Sequence, residues 1–253
     1  MGGQGVALDP HVWRVDLRQP SAWVEEAAGR WLTPDERQRG RRGRPEVRRR
    51  RLVSSIGLRV ALARRLGCSP AALRFMRAVH GKPGLVAGGT SGRVLHFNLT
   101  RSGDCCLIAL SETGPVGVDV ERVVPILDLE SVSFARFAAE EATSIMGARG
   151  EQRLRSFYTC WTLKEAYLKA TGAGLSADLA RVVVSTDEHR RRLVSLPDDD
   201  PSAWRVLAVD PGPGLIGAVV YRGLGPAHAG PLVPPGLDLG ASQLASPLLA
   251  TAG

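Results

Sequence analysis

The sequence predicts an α+β protein built as two similar halves, a pseudo-dimer in which each half packs a helix on a small, mostly antiparallel sheet. Three observations point there. In both parts of the chain, helical stretches with an apolar stripe are followed by short alternating strands. Glu112-Thr113-Gly114-Pro115 punctuates the chain between them, which gives an N-terminal half 1–113, a C-terminal half 114–222 and a remainder 223–253. The 253 residues, 44% hydrophobic and 23% charged, suffice for a sizeable core.

The elements follow in order. Residues 12–17 alternate apolar and polar side chains and read as a strand. Residues 21–31 form an amphipathic helix capped by Ser21, with Trp23, Ala27 and Trp31 on one stripe. Thr33-Pro34-Asp35-Glu36 starts the next helix with a threonine cap, a first-position proline and first-turn acids. From Glu46, the spacing of Val47, Leu52, Ile56, Val60, Ala63 and Leu66 predicts a helix ending at Gly67. Residues 80–84 make a turn, and 93–99 and 105–110 make strands. In the second half, 116–121 is a strand, and 131–146 and 151–170 are helices, the second closed by Thr171-Gly172. Strands follow at 180–185, 204–209 and 215–221. Residues 223–253 hold no lysine or arginine and one acid, Asp238, which predicts a loosely ordered tail.

Charge narrows the function. The chain nets +8, yet residues 30–65 alone carry 13 arginines against Asp35, Glu36 and Glu46, a local +10. Such a segment predicts an anionic partner. Only Lys82, Lys164 and Lys169 are lysines among 33 basic residues. Against that arginine bias, a retained lysine marks a place for a compact ammonium rather than a planar guanidinium. No apolar run approaches the roughly 20 residues of a membrane helix. Asp9, Trp13, Arg14 and Asp16 near the N-terminus do not make a secretory signal. Cys68, Cys105, Cys106 and Cys160 form no CxxC pair. The expectation is a reduced, cytoplasmic protein without a zinc site and without a membrane partner.

Three constellations carry chemistry. In Gly117-Val118-Asp119-Val120-Glu121, strand alternation turns both acids to one face and both valines to the other. Two like charges side by side on a strand conflict unless a cation such as Mg²⁺ joins them. In Trp161-Thr-Leu-Lys164-Glu165-Ala-Tyr-Leu-Lys169, Glu165 adjoins an apolar stripe of Phe157, Trp161 and Leu168, where a carboxylate is costly unless paired or metal-bound. Lys82 in its glycine-proline turn, with His96-Phe-Asn98-Leu-Thr100-Arg101-Ser102, offers donors to an anion. Together they suit a polyphosphate bound through Mg²⁺. An arginine-rich nucleic-acid-binding protein, using 30–65, and another Mg²⁺-dependent nucleotide enzyme are the alternatives. The chain shows no P-loop, no GxGxxG and no recognised nucleic-acid-reading motif.

In order and spacing over about residues 12–222, GVDVE, WTLKEAYLK, HGKP and FNLTRSGD resemble the surfactin-type (Sfp-like) 4′-phosphopantetheinyl transferases. The resemblance implies that family's fold, a monomer of two α+β halves with coenzyme A between them. It implies that Asp119, Glu121 and Glu165 ligate Mg²⁺ on the pyrophosphate, that Lys169 contacts phosphate, and that Lys164 supports the same site. Gly81, Lys82 and Pro83 would meet the nucleotide end. Arg50, with Arg39 nearby, would hold the 3′-phosphate, and Asn98, Thr100 and Arg101 would line the coenzyme A pocket. Glu141, or its neighbour Glu140, would deprotonate a serine of an acyl, peptidyl or aryl carrier protein, and 3′,5′-ADP would leave. Nucleic acid is not expected as a partner. Two departures stand out. Thr100-Arg101 replaces the family's Ser-His, which keeps a hydroxyl and makes the positive charge permanent. Glu36 is acidic where some relatives are basic, which puts that nucleotide contact in question.

Overall fold

The structure, a computed structural model, describes residues 10–77, 83–86, 94–174, 178–187, 191–223, 234–237 and 239. The first half comprises β1 (His11–Asp16), α1 (Ser21–Trp31), α2 (Pro34–Gly40), α3 (Pro45–Leu66), β2 (Phe75–Arg77), β3 (Pro83–Leu85), β4 (His96–Ser102) and β5 (Cys105–Ser111). The second comprises β6 (Val116–Arg122), α4 (Leu129–Arg136), α5 (Ala139–Gly147), α6 (Gly150–Thr171), β7 (Val183–Ser185), β8 (Arg192–Ser195), β9 (Trp204–Val209) and β10 (Leu215–Arg222).

Two three-stranded antiparallel sheets form the frame, ordered β1-β5-β4 and β6-β10-β9. Period-2 alternation gives each sheet two apolar faces. On β5, Cys106, Ile108 and Leu110 join a core with α1 and α3, while Cys105, Leu107 and Ala109 point the other way. There they meet Val116, Val118 and Val120 of β6 and Val219 and Tyr221 of β10 in a central core between the sheets. The far face of the second sheet, with Ala218 and Val220, packs on Phe157, Leu163 and Tyr167 of α6. The result is four layers in the order helices, sheet, sheet, helices. Both long helices, α3 and α6, end on a left-handed glycine, Gly67 (φ 65°) and Gly172 (φ 76°), where a side chain would be strained.

Several boundaries differ from the sequence reading, each for a physical reason. Pro20 holds the cap position of α1 and makes no side-chain cap; Ser21 is already helical. The single helix expected over 131–146 is α4 and α5. Phe137 takes extended backbone and is drawn into the core at 2% exposure, and Glu141 restarts the helix by accepting from Ala138 N at 2.9 Å. The strand expected at 93–99 begins at His96 and runs on to Ser102. The strand expected at 180–185 opens as a 3-10 turn, Leu179–Arg181. The hairpin β2–β3 and strand β8 are three or four residues per strand, too short for periodicity to register. Part of the segment expected to be loose is docked. Arg14 N donates to Pro235 O (3.0 Å) and Leu237 N to Arg14 O (2.8 Å), so residues 235–237 run beside β1, and Leu237 and Leu239 are buried in the N-terminal core. Among the described residues no helix is long and apolar enough to cross a membrane.

Candidate active site at the seam of the two sheets

The acids sit where a helix comes unusually close to a strand. A Cβ built on Gly117 would lie 2.0 Å from Ala166 O and 2.4 Å from Ala170 N, so α6 crosses β6 at a distance that glycine alone permits. The next residues on that face are Asp119 and Glu121, and this crossing brings them against the part of α6 that bears Glu165 and Lys169. Val118 and Val120 face the central core, as the strand alternation predicts.

Side chains of β4 close the site from the other sheet. No backbone ladder joins β4 to β6. Instead Asn98 Oδ1 accepts from Val118 N (3.1 Å), Thr100 Oγ1 donates to Asp119 Oδ1 (3.0 Å), and Ser102 Oγ donates to Glu121 Oε2 (3.0 Å) while accepting from Arg122 N (2.9 Å). These three residues alternate on one face of β4, and Phe97 and Leu99 occupy the opposite, apolar face.

Asp119 is 2% exposed. Its Oδ1 accepts from Lys169 Nζ at 2.5 Å, and Lys169 Nζ also reaches Thr100 Oγ1 at 3.3 Å. Its Oδ2 is buried with no hydrogen-bond partner. Burial pushes the Asp119 carboxyl above the usual carboxylate range, against the pull of Lys169. Glu121 is raised by burial and then by the charge of Asp119. Glu165 is raised by burial, with Lys169 opposing and Asp119 adding to it. Burial raises all three carboxyls, and the charge of Asp119 raises the other two further, so the group lacks positive charge; hard oxygen donors of this kind suit Mg²⁺. Among the described residues no three metal-ligating side chains already converge as a formed site. The fit rests on the buried Asp119 Oδ2, which has no other partner.

The basic residues expected around coenzyme A are distributed as follows. Arg50 on α3 pairs with Asp104 in the β4–β5 turn (2.8 Å). Arg101 Nη1 donates to Ser54 Oγ on α3 (2.9 Å), so both arginines tie the basic helix to the end of β4. Arg39 is exposed on α2, and Pro83 is exposed at the start of β3. Gly81 and Lys82 lie outside the described residues.

Three residues have partners that the sequence did not predict. Lys164 does not join the carboxylates; it is fully buried, donating to Glu141 Oε2 at 2.5 Å and to Leu179 O at 3.0 Å. Glu141, besides Lys164, accepts from Ala138 N (2.9 Å) and Val184 N (2.7 Å), so both its oxygens are hydrogen-bonded. Its neighbour Glu140 is exposed on α5. Glu36 is the partner of buried Arg59 (2.8 Å). Gly117 and Ser102 belong to motifs read in the sequence, but their roles, the close approach of α6 and the bond to Glu121, come only from contacts between distant segments.

Comparison with known proteins gives a consistent result. A family model described as the 4′-phosphopantetheinyl transferase superfamily matches residues 115–220. A putative 4′-phosphopantetheinyl transferase of Synechocystis sp. is 36% identical over 199 residues, 78% of this chain and 78% of its own length. The 4′-phosphopantetheinyl transferase HetI of Nostoc sp. is 32% identical over 216 residues, 85% of this chain and 88% of its own. The 4′-phosphopantetheinyl transferase Sfp of Bacillus subtilis is 27% identical over 186 residues, covering 72% and 79%.

Proposed function

The chain belongs to the 4′-phosphopantetheinyl transferases, and we propose that it moves the 4′-phosphopantetheine group of coenzyme A to a serine of an apo carrier protein in a Mg²⁺-dependent reaction. The serine hydroxyl gives its proton to solvent as its oxygen bonds to the pantetheine-side phosphorus, the pyrophosphate P–O bond breaks, and 3′,5′-ADP leaves with the electron pair. The observation that carries the reading is the buried Asp119 Oδ2 without a hydrogen-bond partner, on a carboxylate whose charge is felt by both Glu121 and Glu165 and which Lys169 contacts.

Asp119, Glu121 and Glu165 would hold the Mg²⁺, which neutralises pyrophosphate oxygens when bound. Lys169 would turn from Asp119 toward phosphate and oppose the charge that grows on the leaving group. Thr100 fixes Asp119 against β4, Asn98 holds the β6 backbone at Val118, and Ser102 orients Glu121. Arg50, Arg101 and Arg39, with Lys82 and its turn, would bind the phosphates and nucleotide end. Lys164 and Glu141 hold α5, α6 and β7 together, and so keep the helix that carries Glu165 in place. We further propose a monomer acting in the cytoplasm on protein partners rather than nucleic acid, with halves divided near residue 113.

Intact-protein mass spectrometry tests this. An apo carrier protein incubated with this protein, coenzyme A and Mg²⁺ is expected to gain one phosphopantetheine mass, and EDTA is expected to abolish the gain. Transfer that persists in EDTA would remove the metal from the proposal. No transfer to acyl, peptidyl or aryl carriers, with no coenzyme A binding, would reject it.

A further inference from the structure

We propose that Arg59 and Glu36 form a positioning junction for the nucleotide end of coenzyme A, an inference that rests on the coenzyme A reading above. Arg59 lies on α3 and is 1% exposed. Its Nε and Nη2 donate to Glu36 Oε1 (3.2 Å) and Oε2 (2.8 Å), and its Nη1 donates to Pro70 O and Leu73 O. The guanidinium carbon stands 5.0 Å from the centre of the Phe75 ring. Glu36 is held in turn by Thr33, whose N and Oγ1 donate to Oε2 at 2.8 and 2.9 Å. Despite burial, Arg59 and Thr33 keep the Glu36 carboxyl below the usual carboxylate range.

A buried ion pair is a poor device for stability, since well-packed apolar residues often serve as well or better. What a forked guanidinium supplies is direction: the bidentate pair fixes angle as well as distance. The directions set here are informative. Glu36 belongs to α2, which carries Arg39, and Arg59 belongs to α3, which carries Arg50. These are the two elements proposed to reach the 3′-phosphate, and the Arg59–Glu36 pair is the buried polar link between them. An acid at position 36 therefore sets the geometry of neighbouring basic residues instead of opposing the nucleotide.

The test compares coenzyme A with 3′-dephospho-coenzyme A as substrates for wild type and Arg59→Lys, which keeps the charge and loses the fork. The expected result is a rise in KM for coenzyme A of about tenfold with kcat nearly unchanged, and no comparable rise for the dephospho substrate. A KM that rises equally for both substrates, or for neither, overturns the proposal. Should Arg59→Lys not fold, Glu36→Gln is read in the same way, supported by calorimetric binding of 3′,5′-ADP, which is expected to weaken in parallel. A wild-type protein that transfers from neither substrate overturns the coenzyme A reading itself, and this proposal with it.

Discussion

Lys164 and Lys169 leave the same helix five residues apart and end in opposite settings. Lys164 is sealed from solvent and meets a glutamate whose two oxygens are also bonded to backbone N–H groups. Lys169 is about one-third exposed and meets an aspartate with one oxygen left over. The first pair is closed: every polar group is matched, and removing one member strands the other. The second is open, with a partner that can be exchanged and an oxygen that awaits a ligand. Burial alone does not separate a structural ion pair from a functional one. The separating feature is whether the hydrogen-bonding capacity is used up.

The largest expected effect tests the closed pair. Lys164→Met should cost about 3–5 kcal/mol of stability, the usual result of leaving a buried charge unpaired. Urea unfolding measures it; a cost below about 1 kcal/mol would show that the pair is not closed in the sense argued. Asp119→Asn should do the reverse, lowering transfer by about a hundredfold or more while costing less stability than Lys164→Met, because the Lys169 it strands is about one-third exposed and can turn to water. If its unfolding curve moves as far as that of Lys164→Met, the two pairs are not different in kind.

Glu121→Gln sharpens the open side by removing a like charge. It should abolish transfer yet raise the melting temperature in EDTA by a few degrees. The carboxyls of Asp119, Glu121 and Glu165 are raised in the folded protein, so the folded chain keeps protons that the unfolded chain has released. Stability in EDTA should therefore rise as pH falls from neutral through their raised range, and these groups should add nothing further below the ordinary carboxylate range. The rise should be smaller in Glu121→Gln, which melting curves across pH will show. The smallest effect concerns Arg101. Coenzyme A affinity should be flat between about pH 6 and 8 in wild type and should fall with rising pH in Arg101→His, where the charge becomes titratable. Matching profiles would remove Arg101 from the phosphate contact.

Much of the fold was legible because periodicity and punctuation agreed. Thr33-Pro34 and the glycines at 67 and 172 marked helix ends correctly, and alternation in 116–121 assigned both faces of β6. The carboxylates were legible for the same reason: two acids on one strand face are anomalous. The rest depended on contacts between distant segments. Lys164 lies next to Glu165 in sequence, yet one step around a helix turns it by about 100° into another environment. Glu141 has only a role implied by resemblance until the fold brings Val184, 43 residues away, to donate to it. Phe137 breaks a helix because the core beneath can take its ring, which no local propensity records.

The docking of residues 235–237 beside β1 has a consequence for biosynthesis. Chains emerge from the ribosome N-terminus first, and early domains ordinarily fold before later ones appear. Here the first strand keeps an unpaired edge, and the N-terminal core lacks Leu237 and Leu239, until more than 200 further residues have been translated. Among the described strands β1 is therefore the last to be completed, and a nascent chain stalled before residue 234 carries an open sheet edge of the kind that chaperones and aggregation compete for.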